Sequence, residues 1–127
     1  MAEHMQIGEV AERTGLSQRT IRYYGEVELV TPSSRTDGGF RLYTDRDVAR
    51  LELIKKMKPL EYTLEEMRDV LEVIAELEAG PPAERREEVA GRLTSIRAAA
   101  TERRDRLVAK LAAAESFIVQ LDEHAAH

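Results

Sequence analysis

Residues 17–23, Ser-Gln-Arg-Thr-Ile-Arg-Tyr, concentrate groups that bind a partner without reacting with it. An arginine can hold the edge of a guanine through two hydrogen bonds, while tyrosine and threonine hydroxyls more often hold phosphate. On a helix, Ser17, Gln18, Arg19 and Thr20 occupy the start, Arg22 and Tyr23 follow one turn later, and Ile21 falls at the inward spacing. Such a helix can present its N-terminal half to the major groove of DNA. Two further clusters share this chemistry. Arg35, Arg41 and Tyr43 flank an Asp37-Gly38-Gly39 turn. The two arginines suit phosphate or the minor groove, and Tyr43 suits either a packed hinge or a phosphate donor. Lys55, Lys56, Lys58 and Tyr62 form a second patch. It reads equally as phosphate contacts or as cations complementing a helix C-terminus.

Catalytic chemistry has no comparable signal. There is no nucleophile–base arrangement and no phosphate loop. The absence of Cys excludes disulfides and thiolate-based metal or redox sensing. His4, His124 and His127 are too scattered for a metal site, and Glu65-Glu66 and Glu87-Glu88 read as solvated helix faces. The expectation is a protein that is not an enzyme and needs no cofactor or metal.

Charge is distributed unevenly. The 127-residue chain carries a net −5, yet residues 13–58 hold ten Lys/Arg against six Asp/Glu, a net of +4. Residues 61–127 hold nine against fifteen, a net of −6. Positive charge thus sits where the candidate DNA-binding residues are. No apolar run approaches the ~20 residues of a membrane span, and the N-terminus lacks an apolar signal core. A cytoplasmic protein with no membrane partner is expected.

The elements that must position these groups are mostly helical. Ile7, Val10 and Ala11 predict a short helix over about 6–13, ended by Gly15. Ser17 predicts an N-cap for a second helix over 18–24, with Tyr24 packed inward. Two short helices joined by a Gly-containing turn form a helix-turn-helix pattern. Pro32, the serines and Asp-Gly-Gly make residues 29–44 a loop and a small β-hairpin wing. Thr44 predicts the cap of a third helix, Asp45 to about Lys58, burying Val48, Leu51, Ile54 and Leu53 and stopped by Pro59. Thr63 with Glu66 forms a capping box for a fourth helix, residues 64–77, with Leu64, Met67, Leu71 and Ile74 as its apolar stripe.

Gly80-Pro81-Pro82 is the clearest break. It divides a DNA-binding domain, residues 1–79, from a dimerisation helix and short tail, residues 80–127. From Ala83 to about Glu123 apolar residues recur at alternating steps of four and three: Val89, Leu93, Ile96, Ala100, Leu107, Ala114, Phe117 and Leu121, interrupted by Arg103 and Lys110 and flanked by Leu111 and Ile118. A helix of ~40 residues runs ~60 Å and cannot bury this stripe against a small domain. The simplest partner is the same helix of a second copy. His124 and His127 fall in a six-residue tail expected to fray.

Several blocks occur in order: IGEVAERTGLS, TIRYY, L-x-x-P, R-x-x-x-G-F-R-L-Y, D-V-x-R-L and L-x-E-M. Together they span Ile7 to about Leu71 and resemble the MerR family of bacterial transcription regulators. The resemblance implies a mainly α fold, with an N-terminal winged helix-turn-helix followed by a long helix that forms an antiparallel coiled-coil dimer. It places Arg19 and Arg22 near DNA and Tyr23 at the backbone, and makes the third and fourth helices a second wing. It implies a homodimer on promoter DNA that bends and untwists the operator so that RNA polymerase can engage. The chain looks like a short member without a separate ligand domain, and no particular effector is implied. Alternatives are an architectural or excision-type DNA binder, or a protein that docks polymerase or another regulator through the acidic helix. Three positions depart from the family pattern. Gly25 stands where Glu is usual, and Glu28 and Glu61 stand where Gly is usual. If those two backbones need positive φ, each non-glycine residue costs roughly 1 kcal/mol or more.

Overall fold

The computed structural model describes residues 4–126, which fall into two compact units divided between Glu72 and Val73. The first unit runs β1 (Met5–Gln6), α1 (Ile7–Thr14), α2 (Gln18–Glu26), β2 (Ser34–Arg35), β3 (Arg41–Tyr43), α3 (Asp45–Met57), a 3₁₀ turn (Lys58–Leu60) and the first part of α4 (Leu64–Ala79). The short strands form an antiparallel sheet in the order β1-β3-β2, pairing Met5 with Tyr43 and Arg35 with Arg41. The expected hairpin is therefore present, and β1 adds a strand to it. Two residues, Met-Gln, are too short to show a period-2 pattern, which is why β1 was not legible in advance.

The helix-turn-helix is built by local hydrogen bonds. Gly15, at φ 75°, closes α1 by donating its N–H to the Ala11 carbonyl. The Thr14 hydroxyl donates to the Val10 carbonyl and accepts from the Leu16 N–H, so a buried threonine completes the turn. Lys55 of α3 donates to the freed Thr14 carbonyl. Ser17 caps α2, accepting from the Thr20 N–H at 3.0 Å. At the other end of α2, Arg68 of α4 donates to the Val27 carbonyl at 2.6 Å.

Asp47 joins the wing to α3. Its carboxylate is fully buried, and accepts from the Thr44 N–H at 2.9 Å and the Ser33 hydroxyl at 2.7 Å, with Arg50 at 3.3 Å. The Asp47 N–H donates back to the Thr44 hydroxyl, completing a capping box. Around this frame Val10, Ile21, Tyr43, Leu51 and Ile54 are fully buried. Val48 and Leu53 are only half-buried, and Met57 takes the third inward position of α3. The expected box at Thr63 and Glu66 forms with distances of 2.9 and 3.1 Å. The buried face of α4 includes Met67, Val70, Leu71 and Val73, while Leu64 and Ile74 are half-covered.

Glu28 and Glu61 both adopt left-handed conformations, at φ 56° and 63°. The two departures from glycine thus fall on backbones that disfavour a side chain. Glu28→Gly and Glu61→Gly are each expected to raise stability by up to about 1 kcal/mol, the relief of left-handed strain less the added freedom of the unfolded chain. That is up to about 4–8 °C in melting temperature for a domain of this size. A melt that falls in both variants would contradict this account.

The second unit contains the end of α4 and α5 (Ala83–Ala125), 43 residues long. Gly80, at φ 76°, and the Pro pair separate them. Arg85 binds Glu76 in a fork at 3.0 and 3.1 Å and reaches Glu88 at 3.3 Å. The Glu76 fork raises the Arg85 pKa, and this cation stays charged. α5 extends into the segment expected as a tail, to Ala125, and the His124 ring nitrogen lies 2.8 Å from the Gln120 carbonyl. No breaker interrupts the segment, and propagation of a formed helix is cheap. His127 lies outside the described residues.

Candidate nucleic-acid interface

The two faces of α2 divide cleanly. Ile21 and Tyr24 are buried, whereas Ser17, Gln18, Arg19, Arg22 and Tyr23 are exposed and Thr20 is half-exposed. Gln18 accepts from Arg22 at 3.1 Å, one turn apart, which orients the guanidinium along the helix surface. The Ser17 and Thr20 hydroxyls share a hydrogen bond of 2.9 Å. Tyr23 stacks obliquely on the buried Tyr24 ring, 5.7 Å between centroids, with its own edge in solvent. Burial raises the Tyr24 pKa, as does the neighbouring Tyr23, so the hydroxyl stays protonated at neutral pH.

A cleft of about 540 Å³ joins this face to the second patch. Arg19, Thr20 and Tyr23 line one side, and Lys58, Tyr62 and Thr63 line the other. Tyr24, Leu64 and Met67 contribute apolar surface to the same cleft. Two groups separated by some forty residues in sequence thus form one cationic, hydroxyl-rich surface. Lys56 is exposed but does not line the cleft, and Lys55 is engaged with Thr14 and lies 3.8 Å from Glu52. Lys55 therefore supports the helix-turn-helix from behind, a role that its position in a basic run concealed.

In the wing, the Thr36 N–H donates to Phe40, and Gly39, at φ 83°, donates back to Thr36, forming the turn anticipated at Asp-Gly-Gly. Arg35 is exposed and donates to the Gly39 carbonyl at 3.3 Å. Phe40 stands 64% exposed at the tip. Arg41 is half-buried, with one guanidinium nitrogen, Nη1, shielded from solvent.

Tyr43 corrects the phosphate-donor alternative. It is fully buried, its hydroxyl included, and cannot reach a DNA backbone. Pairing with Met5 in β1 covers the residue, so the packed-hinge alternative describes it. Burial raises the Tyr43 pKa, with the Arg41 cation beside it opposing the shift. Tyr43→Phe is expected to leave DNA affinity within twofold, because the buried ring is kept and the hydroxyl it loses does not reach the surface. A tenfold loss of affinity in a titration would restore the contact role.

The residues expected to form a dimer seam lie along α5. Val89 is buried within the single chain, and Ile96 and Ala100 are half-covered. Leu93, Leu107, Leu111, Ala114, Ile118 and Leu121 are exposed. Among the described residues no cluster could hold a metal ion, and no helix is long and apolar enough to cross a membrane.

Residues 5–73 match the family model of the MerR HTH family of regulatory proteins. The chain is 43% identical over 67 residues to the transcriptional regulator CueR of Yersinia pestis, covering 53% of this chain and 48% of that protein. It therefore spans about half the length of that relative. Among solved structures, the N-terminus of the Bacillus subtilis multidrug transporter activator, MtaN, aligns at a TM-score of 0.60 and 30% identity, covering 94% of this chain and 95% of that one. HiNmlR, a MerR-family regulator lacking the sensor domain and solved bound to promoter DNA, shares the fold at a TM-score of 0.69 and 23% identity, covering 98% and 89%.

Proposed function

Because the chain belongs to the MerR helix-turn-helix family of regulatory proteins, we propose that it is a sequence-specific transcription regulator that binds promoter DNA as a homodimer. The observation that carries this reading is the continuous surface from the exposed face of α2, through Arg19 and Tyr23, to Lys58 and Tyr62 across the cleft. Arg19 and Arg22 read base edges or adjacent phosphates from the major groove. Tyr23, Lys58 and Tyr62 hold backbone phosphates, with Gln18, Ser17, Thr20 and Lys56 at the margins. Arg35 and Arg41 engage the flanking backbone from the wing.

The homodimer forms through the seam of α5, running antiparallel from Leu93 to Leu121. It sets two α2 helices on successive major grooves of a two-fold operator. Promoter control then follows from deforming the operator so that RNA polymerase can engage, with the cost of bending offset by phosphate contacts on both half-sites. Binding and DNA shape suffice for this role, and it requires no catalytic group.

The test is a titration of the protein against DNA from upstream of its own gene and against a scrambled duplex, at two salt concentrations. Tight binding confined to the upstream DNA is expected. Its log affinity should fall with log salt by about 0.9 per phosphate contacted. Equal affinity for both duplexes, or none for either, would rule out sequence-specific regulation.

A further inference from the structure

The cleft between α2 and the 3₁₀ turn, about 540 Å³, lies within the size range of small-molecule sites. Its polar groups are poised as donors. The Ser17 hydroxyl donates to Thr20 Oγ1, and the Glu66 N–H donates to Thr63 Oγ1. Each threonine oxygen thus receives a hydrogen bond, and among the described residues neither hydroxyl proton is given to an acceptor. Arg19 and Lys58 add two exposed cations, and neither side chain is paired with another described residue. No acidic side chain lines the cleft, and Glu66, which follows it in sequence, accepts from the Thr63 N–H.

The rest of the lining is apolar. Tyr24 and Met67 are buried at its base, Leu64 is half-covered, and Tyr23 and Tyr62 contribute one aromatic side chain from each side. Tyr23 already packs on Tyr24, so its ring is held before any ligand arrives. A phosphate group matches the donors but gains nothing from these apolar groups. An anion that carries a flat apolar body uses both, through charge-assisted hydrogen bonds and burial of its ring.

We propose that this cleft binds a small aromatic carboxylate, which competes with DNA and so releases the operator. This rests on the DNA-binding reading above and adds its regulation. The carboxylate accepts from Lys58, Arg19 and the threonine hydroxyls, the groups that would otherwise face DNA. The aromatic ring covers Leu64 and lies between Tyr23 and Tyr62. Occupation of the cleft and binding of a duplex therefore exclude each other.

The experiment uses the full chain and four probes: phenylpropionate, which has ring and charge; phenylpropanol, which has the ring alone; and propionate and inorganic phosphate, which have charge alone. Calorimetry gives the affinities, and amide NMR shifts locate the site. Phenylpropionate should bind about tenfold more tightly than any of the other three and should shift the amides of Thr20, Tyr23, Tyr62 and Thr63. Lys58→Met should weaken phenylpropionate about tenfold and leave phenylpropanol unchanged. At about ten times its dissociation constant, phenylpropionate should raise the apparent Kd for the upstream duplex about tenfold. Propionate at the same concentration controls for ionic strength. Affinity no tighter than that of propionate or of phenylpropanol would overturn the proposal. So would shifts confined to residues outside the cleft, or binding that leaves DNA affinity as it is with propionate. Failure of the unaltered chain to bind any duplex, with phenylpropionate still seated in the cleft, would overturn the DNA-binding reading and leave the ligand site standing.

Discussion

A chain carrying Leu107→Asp and Leu111→Asp should sediment as a monomer and bind its operator about 10²–10⁴-fold more weakly than the unaltered protein. Both leucines are exposed in the single chain, so the substitutions remove nothing from the core of the DNA-binding unit. They lie one turn apart on the seam of α5, where a second copy would place its own apolar residues. Aspartate there faces an apolar partner surface, and unpaired charge is strongly disfavoured at such an interface. The expected loss in affinity follows from linkage: two half-sites on one dimer bind at high effective concentration, and separate monomers forfeit that advantage. Sedimentation equilibrium together with a titration checks it. Helical circular dichroism confirms that the DNA-binding unit is still folded. A dimer that persists in the double variant would place the interface elsewhere.

The second large effect is expected at Asp47. Replacing it with Ala leaves the Thr44 N–H, the Ser33 hydroxyl and Arg50 without their common acceptor, in a site from which solvent is excluded. Loss of a cap and of a buried charged acceptor together should cost on the order of 3 kcal/mol. At 4–8 °C per kcal/mol for a domain of about 70 residues, the melting temperature should drop by roughly 12–24 °C. Asp47→Asn keeps an acceptor for Ser33 and the Thr44 N–H and should lose about half as much. Thermal unfolding followed by circular dichroism separates the two. A drop of under 4 °C in the Ala variant would mean that the wing is held to α3 by packing instead.

The helices were legible because their signals are local. Ser17, Thr44, Thr63 with Glu66, Gly15 and the Gly80-Pro81-Pro82 break each act within a few residues, and each does the work its type predicts. The outward face of α2 was legible for the same reason, since Ile21 alone fixes which side turns inward. Long-range pairings left no such trace. Arg68 on Val27 and Lys55 on Thr14 are each 41 residues from their partners, and a cation in a polar run looks the same whether it faces solvent or a carbonyl. Asp47 was visible as a first-turn acid, but its burial depends on Ser33 folding back over it. Tyr43 was ambiguous because an alternating aromatic in a three-residue strand fits either face, and β1 decides which. The cleft that joins Arg19 to Lys58 and Tyr62 arises from the tertiary placement of the 3₁₀ turn beside α2.

The central claim is that a dimer reads DNA through two copies of α2, and hydroxyl-radical footprinting on the upstream duplex tests it most directly. The account predicts two symmetric protected segments on one face of the duplex. Their centres should be separated by a whole number of turns of about 10–10.5 base pairs, and both should be lost together in Arg19→Ala. A single protected segment, uniform protection along the duplex, or a pattern unchanged by Arg19→Ala would contradict it.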